Sequence, residues 1–466
     1  MTLTREPVGE IIDGAAIQAL QSRLRGEVIR PGDARYDSAR QVQNASIDRY
    51  PGLIVRCADE ADVIRAVHFA RDRDLSLAVR SGGHSIAGHG TVDGGLVVDL
   101  SKMRGLSLDL TRRVAWAQTG LRAGDYTSQA HMHGLATPFG DTSSVGLGGL
   151  TLGGGIGFLV RKHGLTIDNL ISVDVVTADG RFLVASADEN PDLFWALRGG
   201  GGNFGIATAF QYKLQDVGTI MGGALFLPAT EEVLRGYADY AAQAPDELTT
   251  ITFITQAPPL PFIPTDQHGK LVFIILACYV GNLEEGQRVV APLRSLGQPI
   301  ADVLGPMPYP TLYNFTEPGT VRQPACVRSG YLPTLSDDAI ETILDQARNA
   351  TVPHNMIQLR ALGGAMARVP ADDTAFAHRD KQFILAILTE WQEAADTETS
   401  RAWTKQCWDA IRPYTSGVYA NFLDDEGEER IHEAYPPRTY ARLAAIKRRY
   451  DPTNVFHLNQ NIHPAG

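Results

Sequence analysis

The residues best suited to chemistry fall in four strings rich in glycine or amide side chains. The first is Arg80-Ser81-Gly82-Gly83-His84-Ser85, followed by Gly88-His89-Gly90. Two glycines after an apolar run let main-chain N–H groups converge on a phosphate without obstruction. Arg80 is suited to neutralise a diphosphate charge. A histidine held in such a turn, His84, is a candidate ligand, acid–base group or attachment point. The second string, Gly140-Asp141-Thr142-Ser143-Ser144-Val145-Gly146, runs on through Gly149, Gly153, Gly154 and Gly157. Leu147, Leu150, Leu152, Ile156 and Phe158 punctuate its glycines, which a flexible linker would not do, so it predicts tight packing and close approach of backbone to a flat ligand.

The third string, Gly199-Gly200-Gly201-Gly202-Asn203-Phe204-Gly205, contains the spacing G-x-G-x-x-G. A dinucleotide fingerprint needs a strand before it and a helix after it. Here a predicted helix precedes and a predicted strand, beginning near Ile206, follows, so the match is rejected. The fourth, Tyr450-Asp451-Pro452-Thr453-Asn454-Val455-Phe456-His457-Leu458-Asn459-Gln460-Asn461-Ile462, stops a helix at Asp-Pro and then projects amide side chains suited to cyclic imide or purine groups. His131 with His133, and His84 with His89, lack the i, i+4 spacing of a zinc pair, and no carboxylate completes either, so no metal is expected. A hydrolase G-x-S-x-G elbow is missing.

The elements that must position these strings alternate over the first third. Strands are predicted at 53–57, 75–79, 96–100 and 114–118, with a helix over 60–73 started by Asp59. A hairpin over 170–185 turns at Ala178-Asp179-Gly180, a short helix covers 192–197, and a strand leaves it over 204–214. Beyond residue 215 long apolar runs at 271–280 and 383–391 alternate with amphipathic helices at 231–242, 283–296 and 337–350. That pattern predicts α+β layering, a sheet with helices to one side. Pro258-Pro259-Leu260-Pro261 reads as a surface loop. The tail predicts a strand over 417–423 and a helix over 437–450.

Composition sets the outer limits. The 466 residues carry 42 basic and 53 acidic side chains, a formal charge of −11, with no basic block that would favour nucleic acid or anionic lipid. Four scattered cysteines form no C-x-x-C pair and read as thiols in a reducing compartment. The N-terminus lacks the basic start and apolar run of a secretory signal, and the apolar run 271–280 is about half a membrane span. A soluble, cytoplasmic protein is expected.

Taken together, R-S-G-G-H, L-x-G-G-x-G-F, G-G-x-N-F-G and Y-D-P-x-N-x-F-x-x-N-x-N-I resemble the berberine bridge enzyme-like branch of the vanillyl-alcohol oxidase superfamily, over nearly the whole chain. The resemblance implies a two-part PCMH-type FAD-binding domain (45–214, completed by 416–466). It also implies a substrate domain (215–415) with an antiparallel sheet covered by helices. FAD is then bonded through its 8α carbon to His84. Many relatives add a second bond from a cysteine where this chain has Thr142, so the linkage is expected to be single. Implied cofactor contacts are Arg80, Ser81, Gly82, Gly83, His84, Ser85 and His89; Gly140, Asp141, Thr142, Val145, Gly146, Gly149, Gly153, Gly154 and Gly157; and Gly202, Asn203, Gly205, Ile206, Asn459 and Asn461.

Val145 matches a position where oxygen-reactive members usually have valine and dehydrogenases leucine. The implied reaction moves hydride from a CH–OH or CH–NH carbon of a small substrate to the flavin, and O2 becomes H2O2. A dehydrogenase using another acceptor and a degenerate flavin-binding protein remain the alternatives. Two departures bear on substrate. The family's Y-x-N-Y segment reads Tyr419-Ala420-Asn421-Phe422, without the final hydroxyl. A strand that carries a lysine and two glutamates in a bacterial member has Gln358, Arg360 and Leu362 instead. Tyr419, Asn421, Arg360 and Gln358 are therefore the candidates for proton handling or orientation. The sequence leaves substrate identity and oligomeric state open.

Overall fold

The computed structural model describes residues 12–317, 321–352 and 354–466, so the N-terminal stretch read for a signal lies outside the described residues. In it the apolar tetrads of the first third pair into a small sheet. Leu53–Arg56 and Leu77–Arg80 run parallel to Leu96–Asp99 between them, and Glu27–Ile29 joins antiparallel at the edge. Parallel strands need a crossover, and the helix Glu60–Arg71 supplies the one from Leu53–Arg56 to Leu77–Arg80, leaving room for Leu96–Asp99 between them. Asp59 caps that helix, accepting from the Asp62 N–H at 3.0 Å, and Val63, Ala66, Val67 and Ala70 turn onto the sheet. The strand Leu77–Arg80 therefore ends, with its backbone fixed, at Gly82-Gly83-His84.

A second sheet is antiparallel, in the order Leu106–Asp109, Val114–Gln118, Ile206–Lys213, Leu170–Val176, Phe182–Ser186. The helix Pro191–Leu197 precedes the third glycine string and the strand Ile206–Lys213 follows it, so the rejected dinucleotide match is inverted in space as in sequence. The C-terminal helix Pro437–Tyr450 returns to this sheet, where Leu443 and Ile446 share a core with Leu193, Leu197 and Phe204.

The middle of the chain builds an eight-stranded antiparallel sheet. Its path is Ala301–Asp302, Thr219–Pro228, Leu271–Tyr279, Leu248–Gln256, Asn355–Ala361, Phe383–Glu390, Ala325–Leu332, with Gly305–Pro308 beside Thr219–Pro228. Helices Glu231–Gln243, Leu283–Arg294, Asp337–Arg348 and Thr397–Ile411 cover one face through Tyr237, Leu293, Ile343 and Trp408. Part of the other face carries Ile251, Ile274 and Leu276, which pack with Phe158, Leu159 and Leu312. With both faces covered, Leu271–Tyr279 is apolar throughout and does not alternate. The fold is α+β, with its glycine strings on the strand-and-loop side facing this sheet.

One expected element is absent. Residues 417–423 form no strand: Gly417 has φ +78° and Ala420–Phe422 is a 3-10 turn. Local side-chain hydrogen bonds replace a ladder there, with Asn421 Nδ2 donating to the Leu150 carbonyl at 3.1 Å and to Tyr419 Oη at 2.8 Å. The four cysteines are free and buried. No helix among the described residues is long and apolar enough to cross a membrane.

Candidate active site

The four strings converge on a cavity of about 370 Å³. Two of them touch backbone to backbone: a Cβ on Gly82 would lie 2.3 Å from the Gly146 nitrogen, and one on Gly146 equally close to the Gly82 nitrogen. Only glycine at both positions allows that approach. The helix Leu147–Leu152 begins immediately after this contact and sinks Leu147 and Leu152 into the core, which fixes the loop before it. Of the predicted cofactor contacts, Arg80, Ser81, Gly82, Gly83, His84, Ser85 and His89 line the cavity, as do Gly140, Asp141, Thr142, Val145, Gly146 and Gly149. Gly202, Gly205, Ile206 and Asn459 complete that wall, and Arg360, Tyr419 and Asn421 stand on it too.

His84 Nε2 lies 3.0 Å from Ser144 Oγ. Burial, with the Arg122 guanidinium adding to it, pulls the ring's pKa down to about 4. It is therefore an uncharged imidazole at neutral pH, with a lone pair on one nitrogen. His89 is also held at about 4, by burial and then by Arg49.

Tyr419 is buried, and its hydroxyl accepts from the Gly155 N–H at 2.9 Å and from Asn421 Nδ2 at 2.8 Å. Burial raises its pKa to about 12, so it stays a phenol whose own proton is free to donate. Arg360 is gripped on two sides. Its Nη2 pairs with Asp141 at 2.8 Å and its Nε donates to Gln358 Oε1 at 2.7 Å, while the guanidinium lies 4.8 Å from the Phe422 ring centre. Its Nη1 is buried without a hydrogen-bond partner.

Several predicted residues brace the walls, some of them away from the cavity. Arg80 lines the cavity, but Asp99 already meets its charge at 2.9 Å. Ser81 Oγ spans the loops, donating to the Thr119 carbonyl and accepting from the Gly148 N–H at 3.2 Å. Asn203 is fully buried as a brace: it donates to the Gly200 and Gln460 carbonyls and accepts from the Ile462 N–H. Gly153, Gly154 and Gly157 approach protein rather than ligand. A Cβ on Gly153 would meet Asn421 at 2.1 Å, Gly154 packs on Phe376, and Gly157 on the Phe139 carbonyl. Asn461 lines a smaller neighbouring pocket. Gln358 acts on Arg360 and does not line the cavity.

Residues the sequence left unassigned include Ser144, Phe422 and Gln460. Ser144 and Gln460 lie inside the second and fourth strings, but nothing in their spacing marks them. Phe422 stands out in the sequence only for its missing hydroxyl.

The wall fits a flavin dinucleotide. Glycines 82, 83, 146, 148, 149, 201, 202 and 205 offer main-chain donors and open backbone. Asn459 Oδ1 is buried on this wall with no hydrogen-bond partner, an acceptor in want of a donor such as a ring N–H.

Comparison with known proteins agrees. A family model described as an FAD binding domain matches residues 51–186, and one described as berberine and berberine like matches 418–463. The (R)-6-hydroxynicotine oxidase of Paenarthrobacter nicotinovorans is 31% identical over 95% of this chain and 98% of its own length. Among solved structures, 6-hydroxy-D-nicotine oxidase from Arthrobacter nicotinovorans superposes with a TM-score of 0.83 at 28% identity, covering 95% of this chain and 98% of that one. Glucooligosaccharide oxidase from Acremonium strictum, described with a 6-S-cysteinyl, 8α-N1-histidyl FAD, gives 0.85 at 26%, covering 97% and 100%. The chain belongs to the berberine bridge enzyme-like family and is an FAD-linked oxidoreductase.

Proposed function

We propose that this protein is an oxidase: it converts a CH–OH or CH–NH group of a small molecule to C=O or C=N and passes the electrons to O2. Residues 45–214 and 416–466 hold FAD, and 215–415 adds Arg360 to a substrate wall shared with Asp141, Tyr419 and Phe422. When bound, FAD accepts hydride from the substrate carbon and yields both electrons to O2, giving H2O2.

The observation that carries this reading is the neutral, half-buried His84 on the cavity wall, 3.0 Å from Ser144. An uncharged imidazole can form a carbon–nitrogen bond, so His84 is the tether. None of the four cysteines lines the cavity, which supports a single linkage. Tyr419 orients the substrate heteroatom by donating to it, Asn421 holds Tyr419, and the substrate's own proton leaves to water. Gln358 and Asp141 hold Arg360.

The test is stoichiometry. Anaerobic addition of small secondary alcohols and cyclic amines should bleach the flavin with at least one of them, and admitted air should restore the colour with one H2O2 formed per product. Bleaching that only a dye or quinone reverses makes the protein a dehydrogenase. A colourless protein that binds no FAD makes it neither.

A further inference from the structure

Every formal charge on the cavity wall already has a partner. The charged side chains lining it are Arg80, Asp141 and Arg360. Arg80 is met by Asp99 at 2.9 Å, and Asp141 and Arg360 meet each other at 2.8 Å with at most a tenth of either side chain exposed. His84, His89 and Tyr419 are uncharged at neutral pH. At the aromatic end of the cavity, near Phe422 and Tyr419, no carboxylate is left to balance a cation and no guanidinium is left to balance an anion. One directional group does stand unused there: the buried Nη1 of Arg360, held in place by Asp141, Gln358 and the Phe422 ring.

We infer that the Asp141–Arg360 pair selects an uncharged carbinol bearing a second oxygen acceptor beside the reacting carbon, such as a vicinal diol or hydroxyketone, and rejects the matching ammonium. The inference rests on the oxidase reading above and narrows it from CH–OH or CH–NH to CH–OH. Arg360 Nη1 donates to the second oxygen, and the Tyr419 hydroxyl donates to the reacting one. In the reaction the carbinol loses its C–H and O–H bonds and becomes a carbonyl, while two electrons and two protons end on O2 as H2O2. A protonated amine entering the same place would surrender its hydration without gaining a counter-ion, which a desolvated site penalises heavily. Asp141 cannot serve as that counter-ion without releasing Arg360. Arg360 is thus a specificity-determining residue, and Asp141 a positioning one that sets the net charge.

The experiment uses the holoenzyme and matched pairs of compounds in which one hydroxyl of a small cyclic diol is replaced by an amine. Anaerobic flavin bleaching gives kcat/KM, and isothermal titration calorimetry in the same buffer gives binding independent of turnover. The wild type should favour the diol by about a hundredfold. In Arg360→Gln the unpaired Asp141 should shift the ratio toward the amine by at least about tenfold. In Asp141→Asn the free guanidinium should shift it toward a hydroxy acid. The double variant, neutral again, should return to the wild-type order, a pattern that a loss of packing would not produce. Thermal denaturation identifies any variant that fails to fold, and the wild-type ranking stands without them. An amine bound as tightly as the diol, or no binding of either, overturns the inference. Bleaching by amines alone overturns it while sparing the oxidase reading, and flavin that dithionite reduces but no compound of either class does sinks the oxidase reading itself.

Discussion

His84 and Val145 bear most of the proposed reading, His84 through a nucleophilic ring nitrogen and Val145 through its small size. Val145 lies on the cavity wall immediately before the glycine that touches Gly82. Leucine adds one methylene where backbone meets backbone, a change that obstructs a small diatomic more than it disturbs folding. In Val145→Leu, reduction by substrate or dithionite should proceed nearly as before. Stopped-flow reoxidation in air-saturated buffer should slow about tenfold, an added barrier of about 1.4 kcal/mol. Equal reoxidation rates would remove this residue from the account of oxygen reactivity. Legibility differed sharply at this scale. The glycines and His84 were readable because close backbone approach and a rigid turn restrict residue type. The Asp141–Arg360 pair was not, since its members were picked out for separate reasons and nothing in the spacing links a loop to a strand of another sheet.

At the scale of elements, the cavity depends on how the tail is pinned. Lys447, on the helix Pro437–Tyr450, is fully buried; its Nζ donates to the Asn203 and Phe456 carbonyls at 2.8 Å and pairs with Asp451 at 2.9 Å. Asp451 in turn accepts from the Val455 and Phe456 N–H groups. One ammonium thus ties the third glycine string to the fourth. Lys447→Met keeps the volume but strands a buried carboxylate, so denaturant titration should show a loss of about 3–5 kcal/mol. A loss below about 1 kcal/mol, the scale of an exposed pair, would mean that the pin is not needed. Period and capping made the helices Glu60–Arg71 and Asp337–Arg348 legible to within two residues at either end. The turn at Ala420–Phe422 was not legible, because its side chains bond to loops far away in sequence. The helix Thr397–Ile411 escaped as well: its buried Trp403, Cys407 and Trp408 lie among charged and polar residues that blur the apolar stripe.

Across the whole molecule, the α+β layering was readable from the change of pattern near residue 215, whereas the pairing order of the eight-stranded sheet was not, since apolar runs covered on both faces do not say which neighbours they choose. Burial also leaves a pH signature. His89 and His163, neither of them the flavin tether, each bind a proton at about 4 in the folded chain, both lowered first by desolvation, against an ordinary 6.5. Between those values the unfolded chain holds more protons, so stability is full above pH 6.5 and falls as pH drops toward 4. Thermal melts should show Tm declining over that window, and His163→Gln, away from the cavity wall, should decline less steeply. A Tm that stays level from pH 7 to 4.5 would contradict the desolvated, neutral state of these rings.

In the proposed reading His84 is the flavin's single covalent tether. Tryptic digestion of the denatured, acid-washed protein followed by mass spectrometry tests it directly. One flavin-bearing peptide is expected, the one containing His84, with no flavin on a peptide containing Cys57, Cys278, Cys326 or Cys407. Flavin washed free in the acid supernatant, or found on a cysteine peptide, would contradict it.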